Sequence, residues 1–164
     1  MARRDHLKEA LDGARGYSTS LFSSFGDQKE WVHQPHPSAN HAMWCAGHIA
    51  STDNFALSVI APERAVDKPR YKELFGSGSS PKSDVAAYPP AAEVLDYMAE
   101  RRSTLLSVLD GLSDEDLAKA TPEGAPAFMP TVGSVFRILI WHEGLHAGQA
   151  SIAHRSLGKS PIMG

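Results

Sequence analysis

Residues 132–157 run without a proline, and the centre of that stretch, Ile138-Leu139-Ile140-Trp141, is apolar in every helical direction. Thr131 stands before it as an N-cap and Gly158 after it as a stop, so the pattern predicts one helix over about 132–157. Such a helix is roughly 39 Å long at 1.5 Å per residue. A long helix that is hydrophobic all round must be covered on more than one side. This single segment therefore demands several other elements of similar length packed around it.

The rest of the chain supplies them. Leu7, Leu11, Ala14, Ser18, Leu21 and Phe25 recur at steps of three and four and predict a helix over 3–25. A second helix is expected over about 40–60, with Ser38 or Asn40 as its N-cap and a stop before Pro62. Val94, Leu95, Met98, Leu105, Val108 and Leu109 mark a third over about 91–110, closed by Gly111. Ser113-Asp114-Glu115-Asp116 reads as the cap of a short helical turn. No alternating stretch long enough for a strand is present. From Pro62 to Pro90 the chain has five prolines, both ends included, and the patch GSGSSP, with little periodicity. That is longer than a tight helix–helix link, so it is expected to cross the molecule. The expected fold class is all-α: one domain over 1–164, a four-helix bundle with a long crossover between its second and third helices.

Composition removes several function classes. The 164 residues carry a formal charge of −3 with scattered Lys and Arg, so neither a nucleic-acid footprint nor a basic membrane anchor is expected. No stretch approaches about 18 consecutive apolar residues, so no spanning helix is expected. The N-terminus lacks the apolar core of a signal peptide, and Cys45 is the only cysteine. Together these predict a cytoplasmic protein without an internal disulfide.

The chemistry is concentrated in His142-Glu143-Gly144-Leu145-His146, which matches H-E-x-x-H on a helix. Residues i and i+4 share a face, so both imidazoles can reach one ion. Two imidazoles are not a stable site, and a third ligand is required. The position that a longer zinc-protease motif would use holds Ile152, and no acidic residue follows Glu143. His154 sits about 12 Å further along the same helix. The third ligand must come from another helix, and His48, mid-helix among apolar and small neighbours, is the best candidate. His41, one heptad earlier, is expected at the mouth or in solvent. His6, His33 and His36 are expected in solvent. Cys45, one turn before His48, reads either as a further ligand or, more ordinarily, as a small buried hydrophobe. Three neutral imidazoles leave room for water or a substrate. Zinc, nickel, iron(II) and manganese all tolerate imidazole, and ligand chemistry alone does not choose among them.

Glu143 is about 100° around the helix from His142. It is either a general base, as in zinc proteases, or an ion-pair partner of Arg137, Arg155 or another helix. Gln149 shares the face of His146 and reads either as a group that orients it or as an ordinary helix-packing amide. Trp44 reads as pocket wall or core, and Asp53 as a solvated or salt-bridged carboxylate.

The sequence resembles the DinB superfamily and its YfiT-like metal-dependent members. The resemblance is carried by NHAMWCAGHIA, by PPAAEVLDYMAERRSTLLSVLDGLSDEDL and by TVGSVFRILIWHEGLHAGQASIAHRSLGK, which together cover nearly the whole chain. It implies a four-helix bundle with a crossover, usually a homodimer. It also implies a metal held by one His of the second helix and two of the fourth, matching His48, His142 and His146. Characterised relatives use a low-molecular-weight thiol, as bacillithiol S-transferases, mycothiol-dependent enzymes or ergothioneine synthases. The last place a carboxylate ligand two residues after the second helical His, where this chain has Gly148. The resemblance thus implies a thiol S-transferase acting on a small molecule. A hydrolase with Glu143 as base, or a non-catalytic metal-binding stress protein, are the alternatives. The all-round apolar turn 138–141 needs a cover beyond three helices. Either the crossover or a second copy provides it, and a homodimer through the second and fourth helices is expected.

Overall fold

The computed structural model describes residues 3–163. Among them are seven α-helices and no strand. The long helices are α1 (Arg3–Phe22), α3 (Ala42–Ile60), α5 (Ala91–Asp110) and α7 (Val132–Ser156), and the short ones are α2 (Gln28–Trp31), α4 (Pro69–Phe75) and α6 (Asp114–Ala118).

The starts follow local chemistry. Asp27 caps α2, and Ser113 and Thr131 form capping boxes with Asp116 and Ser134 at the heads of α6 and α7. Gly158 takes φ +79° just beyond α7, where an L side chain would be strained. The cap of α3 differs from expectation. It is neither Ser38 nor Asn40 but His41, whose Nδ1 accepts the Trp44 main-chain N–H at 3.1 Å. His41 is consequently fully buried, rather than in solvent or at a mouth.

Two apolar clusters make the core. One holds Leu21, Ile49, Ala50, Met98 and Ala147, and the other Leu11, Ala56, Leu57, Leu105 and Leu139. Along α1 and α7 the second cluster comes first; along α3 and α5 it comes last. So α1 and α7 run parallel to each other and antiparallel to α3 and α5. A parallel pair cannot be joined by a tight turn: after α3 the chain must return about 28 Å, the length of nineteen helical residues. Residues 61–90 do this. They are more ordered than their prolines suggested, with α4 at the centre and 3-10 turns at Pro62–Arg64 and Val85–Ala87.

A layer of four charges separates the two clusters. Arg15 on α1, Asp53 on α3, Arg102 on α5 and Glu143 on α7 each fall between the two sets of apolar residues on their helix. Arg102 donates to Asp53 from Nε at 3.0 Å and to Glu143 from Nη2 at 2.6 Å. Arg15 donates to Glu143 from Nε at 2.6 Å and to Asp53 from Nη2 at 2.8 Å. Arg102 Nη1 also donates to the Leu11 carbonyl and Arg15 Nη1 to the Met98 carbonyl. Burial opposes the Arg102 charge, but the two carboxylates more than offset it and raise its pKa.

Candidate metal centre

α3 and α7 cross side by side, and three imidazoles meet where they do. Nε2 of His142 lies 3.1 Å from Nε2 of His48 and 3.1 Å from Nε2 of His146. Among the described residues, these three are the one group of His, Cys, Asp or Glu placed closely enough to share an ion. The trio expected from spacing is thus brought together by the fold.

Two of the rings have their tautomer set by a neighbour that can only accept. Nδ1 of His146 lies 2.9 Å from Oε1 of Gln149, and that oxygen also accepts from Asn40 Nδ2 at 3.0 Å. Nδ1 of His48 donates to the main-chain carbonyl of Phe75 at 2.6 Å. With the protons on Nδ1, both Nε2 lone pairs face the centre. Trp44 stacks on His48 with centroids 4.4 Å apart and an interplanar angle of 16°, and its indole N–H donates to Ser79 Oγ at 2.9 Å. Burial pushes the pKa of His48 down. Burial, then the repulsion of the other two rings, takes His142 down to about 3, and burial takes His146 down to about 4.

Convergent, neutral, unprotonated imidazole nitrogens are the donor set of a borderline divalent cation. A tetrahedral ion bound at about 2.0–2.1 Å sets neighbouring ligand nitrogens about 3.3 Å apart, close to the separations seen here. The residues therefore fit a metal. Three protein ligands also leave at least one coordination position for an exogenous group.

The neighbours sort themselves clearly. Cys45 is fully buried, its sulfur 3.9 Å from Gln149 Oε1 and its thiol pKa pushed up by burial; it does not join the imidazoles. Glu143 follows His142 directly but turns inward to Arg15 and Arg102, not to Arg137 or Arg155. Asp53 is salt-bridged in the same layer and is buried, not solvated. His6 and His36 are exposed, and the half-buried His33 meets Ser156 at 2.8 Å. His154 is buried against Ser24, far from the trio. The expected all-round burial of 138–141 does not hold within one chain. Leu139 is buried, Ile138 and Ile140 are half-buried, and Trp141 is 65% exposed, so the crossover does not cover it.

Sequence reasoning missed Arg15, Asp53 and Arg102 as a set, and the Phe75 carbonyl. The first had a signal: Arg102 interrupts an apolar face between Met98 and Leu105, and Arg15 lies between Leu11 and Leu21 on α1. A main-chain carbonyl has none.

The DinB superfamily model matches residues 10–150, and the chain belongs to that superfamily. In fold it is similar to a conserved protein of Enterococcus faecalis, with a TM-score of 0.75 over 97% of this chain and 99% of that one, at 20% identity. No curated protein sequence matches it. The class of protein is therefore a DinB-type helical bundle in which three histidines converge at one point.

Proposed function

We propose that the chain binds one divalent ion, zinc or nickel foremost, through His48, His142 and His146 and transfers a low-molecular-weight thiol to a small electrophile. The observation that carries this reading is the contrast between neighbouring residues on α7. His142 offers its nitrogen to the centre, while both carboxylate oxygens of Glu143 are taken by guanidinium groups. A hydrolase would need a base at the ion, and Glu143 is committed elsewhere. When bound, the ion supplies a Lewis acid that lowers the pKa of a coordinated thiol. The protein's own contribution is orientation. Gln149 and the Phe75 carbonyl aim two imidazoles, burial keeps them neutral, and Trp44 walls His48 on one side. In the transfer, the thiol proton goes to solvent, sulfur bonds to the electrophilic carbon, and the leaving group departs with its electron pair.

The same reading includes a cytoplasmic homodimer. Trp141, Leu145 and Ile152 are 65%, 44% and 63% exposed at helical spacing on α7, with Phe55 of α3 at 44%. No charge interrupts α7's outer face between Arg137 and Arg155. A charge-depleted apolar face with an aromatic anchor suits an isologous interface.

The direct test is conjugation of glutathione, bacillithiol or mycothiol to a model electrophile, with and without chelator. Chelator-sensitive product is expected. Metal-dependent amide hydrolysis without conjugation would replace this reading with the hydrolase, and metal-loaded protein inert in both assays would leave a binding protein.

A further inference from the structure

The crossover does more than connect α3 to α5, because its central helix ends on a metal ligand. Phe75 is the last residue of α4, and its carbonyl is one of those a helix C-terminus leaves without an intrahelical partner. That carbonyl takes the His48 Nδ1 proton. Gly47, immediately before His48, faces the Phe75 ring so closely that a Cβ there would fall well inside contact distance of three ring carbons. The ring has little room to retreat. It is fully buried, stacked on Tyr88 with centroids 5.7 Å apart and set edge-on to Tyr71 at 5.2 Å. Just beyond α4, Ser79 accepts the Trp44 indole N–H and donates to the Leu74 carbonyl at 3.1 Å. The end of α4 thus holds His48 by its edge through Phe75 and by its face through Trp44.

We propose that Gly47 and Phe75 are positioning residues for the metal centre: the absence of a side chain at 47 seats the Phe75 ring, and that seating places the Phe75 carbonyl on His48. The proposal rests on the metal-site reading above, but its first consequence concerns the metal-free protein. His48 must carry its proton on Nδ1, leaving Nε2 free for an ion. Any residue with a Cβ at 47 displaces the ring and with it the carbonyl, and His48 becomes free to turn or change tautomer. Loss of such an orienting partner typically weakens metal binding about 10–100-fold with all ligands still present.

Two measurements test it: imidazole nitrogen NMR of the metal-free protein at pH 8, and zinc affinity by chelator competition. The wild type is expected to show His48 protonated at Nδ1. Gly47→Ala is expected to show mixed His48 tautomers and about 10–100-fold weaker zinc binding. In Gly47→Ala/Phe75→Val the smaller side chain makes room for the new methyl group while the carbonyl remains. Its affinity should return to within about threefold of wild type, the coupling expected of two residues in contact. A wild-type His48 protonated at Nε2 overturns the proposal. So does a folded Gly47→Ala variant with unchanged tautomer and affinity. If Gly47→Ala does not fold, the wild-type tautomer and the double variant decide, and a folded double variant binding zinc more than tenfold weaker than wild type overturns it. Failure of the wild type to bind zinc would instead remove the metal reading, while the tautomer measurement still judges the role of Phe75.

Discussion

Glu143 and Arg102 meet at 2.6 Å in the middle of the bundle, and both are buried. That contact places the second residue of the H-E-x-x-H motif in the charged layer between the two apolar clusters. It belongs to a neutral quartet of two arginines and two carboxylates, one from each long helix, which fixes the axial register of four helices at one level.

Glu143→Gln leaves two guanidiniums, the buried Arg102 and the half-buried Arg15, facing one carboxylate. Breaking a buried ion pair in this way costs about 3–5 kcal/mol. The expected outcome is a clear fall in the denaturant midpoint, one equivalent of metal retained and most of the thiol-transfer activity kept. A loss of about 100-fold in rate with stability unchanged is the signature of a general base and would count for the hydrolase.

His41 gives the bundle an acid-sensitive point away from the metal. Its Nδ1 must be unprotonated to cap α3, while Nε2–H donates to the Lys82 carbonyl at 3.0 Å. Burial lowers its pKa to about 4, against about 6.5 when unfolded. Between those values the unfolded chain takes up a proton that the native chain refuses. Stability from this group is therefore whole above pH 6.5 and is lost as pH falls toward 4, at up to about 1.4 kcal/mol per pH unit. Asn can cap a helix without titrating. His41→Asn should flatten the fall in unfolding free energy between pH 6.5 and 5 relative to wild type. Parallel curves for the two proteins would contradict this role.

Much of this architecture was legible because helices announce themselves by period. Thr131, Gly158, Gly111, Pro62 and the steps of three and four located the four long helices, and i, i+4 spacing paired His142 with His146. His48 stood out as a histidine without a reason among apolar residues. What stayed hidden depends on partners distant in sequence. The Phe75 carbonyl carries no side-chain signature, and α4 is too short to show a period. Asp53 looks like any surface acid until Arg15 and Arg102, 38 and 49 residues away, close on it. His41 was misplaced because Ser38 and Asn40 are stronger cap residues by type, whereas burial under Tyr88 and the crossover selects the imidazole.

Trp141 is the anchor of the proposed subunit contact. Trp141→Glu places a charge at the centre of that face, with no buried partner lost within the chain. Light scattering at micromolar concentration should give about twice 17.7 kDa for wild type and about 17.7 kDa for the variant, with thermal stability of the monomer little changed. A wild-type mass that stays at 17.7 kDa as concentration rises would end the dimer assignment.

The most direct test of the central claim is the metal content of untagged protein, wild type beside His142→Ala, after both have been offered zinc and passed through gel filtration. His142 bridges the other two rings, so its removal leaves two imidazoles, a weak site. One equivalent of metal per chain is expected in wild type and only trace metal in a folded His142→Ala. Full occupancy in that variant, or an empty wild type, would contradict that claim.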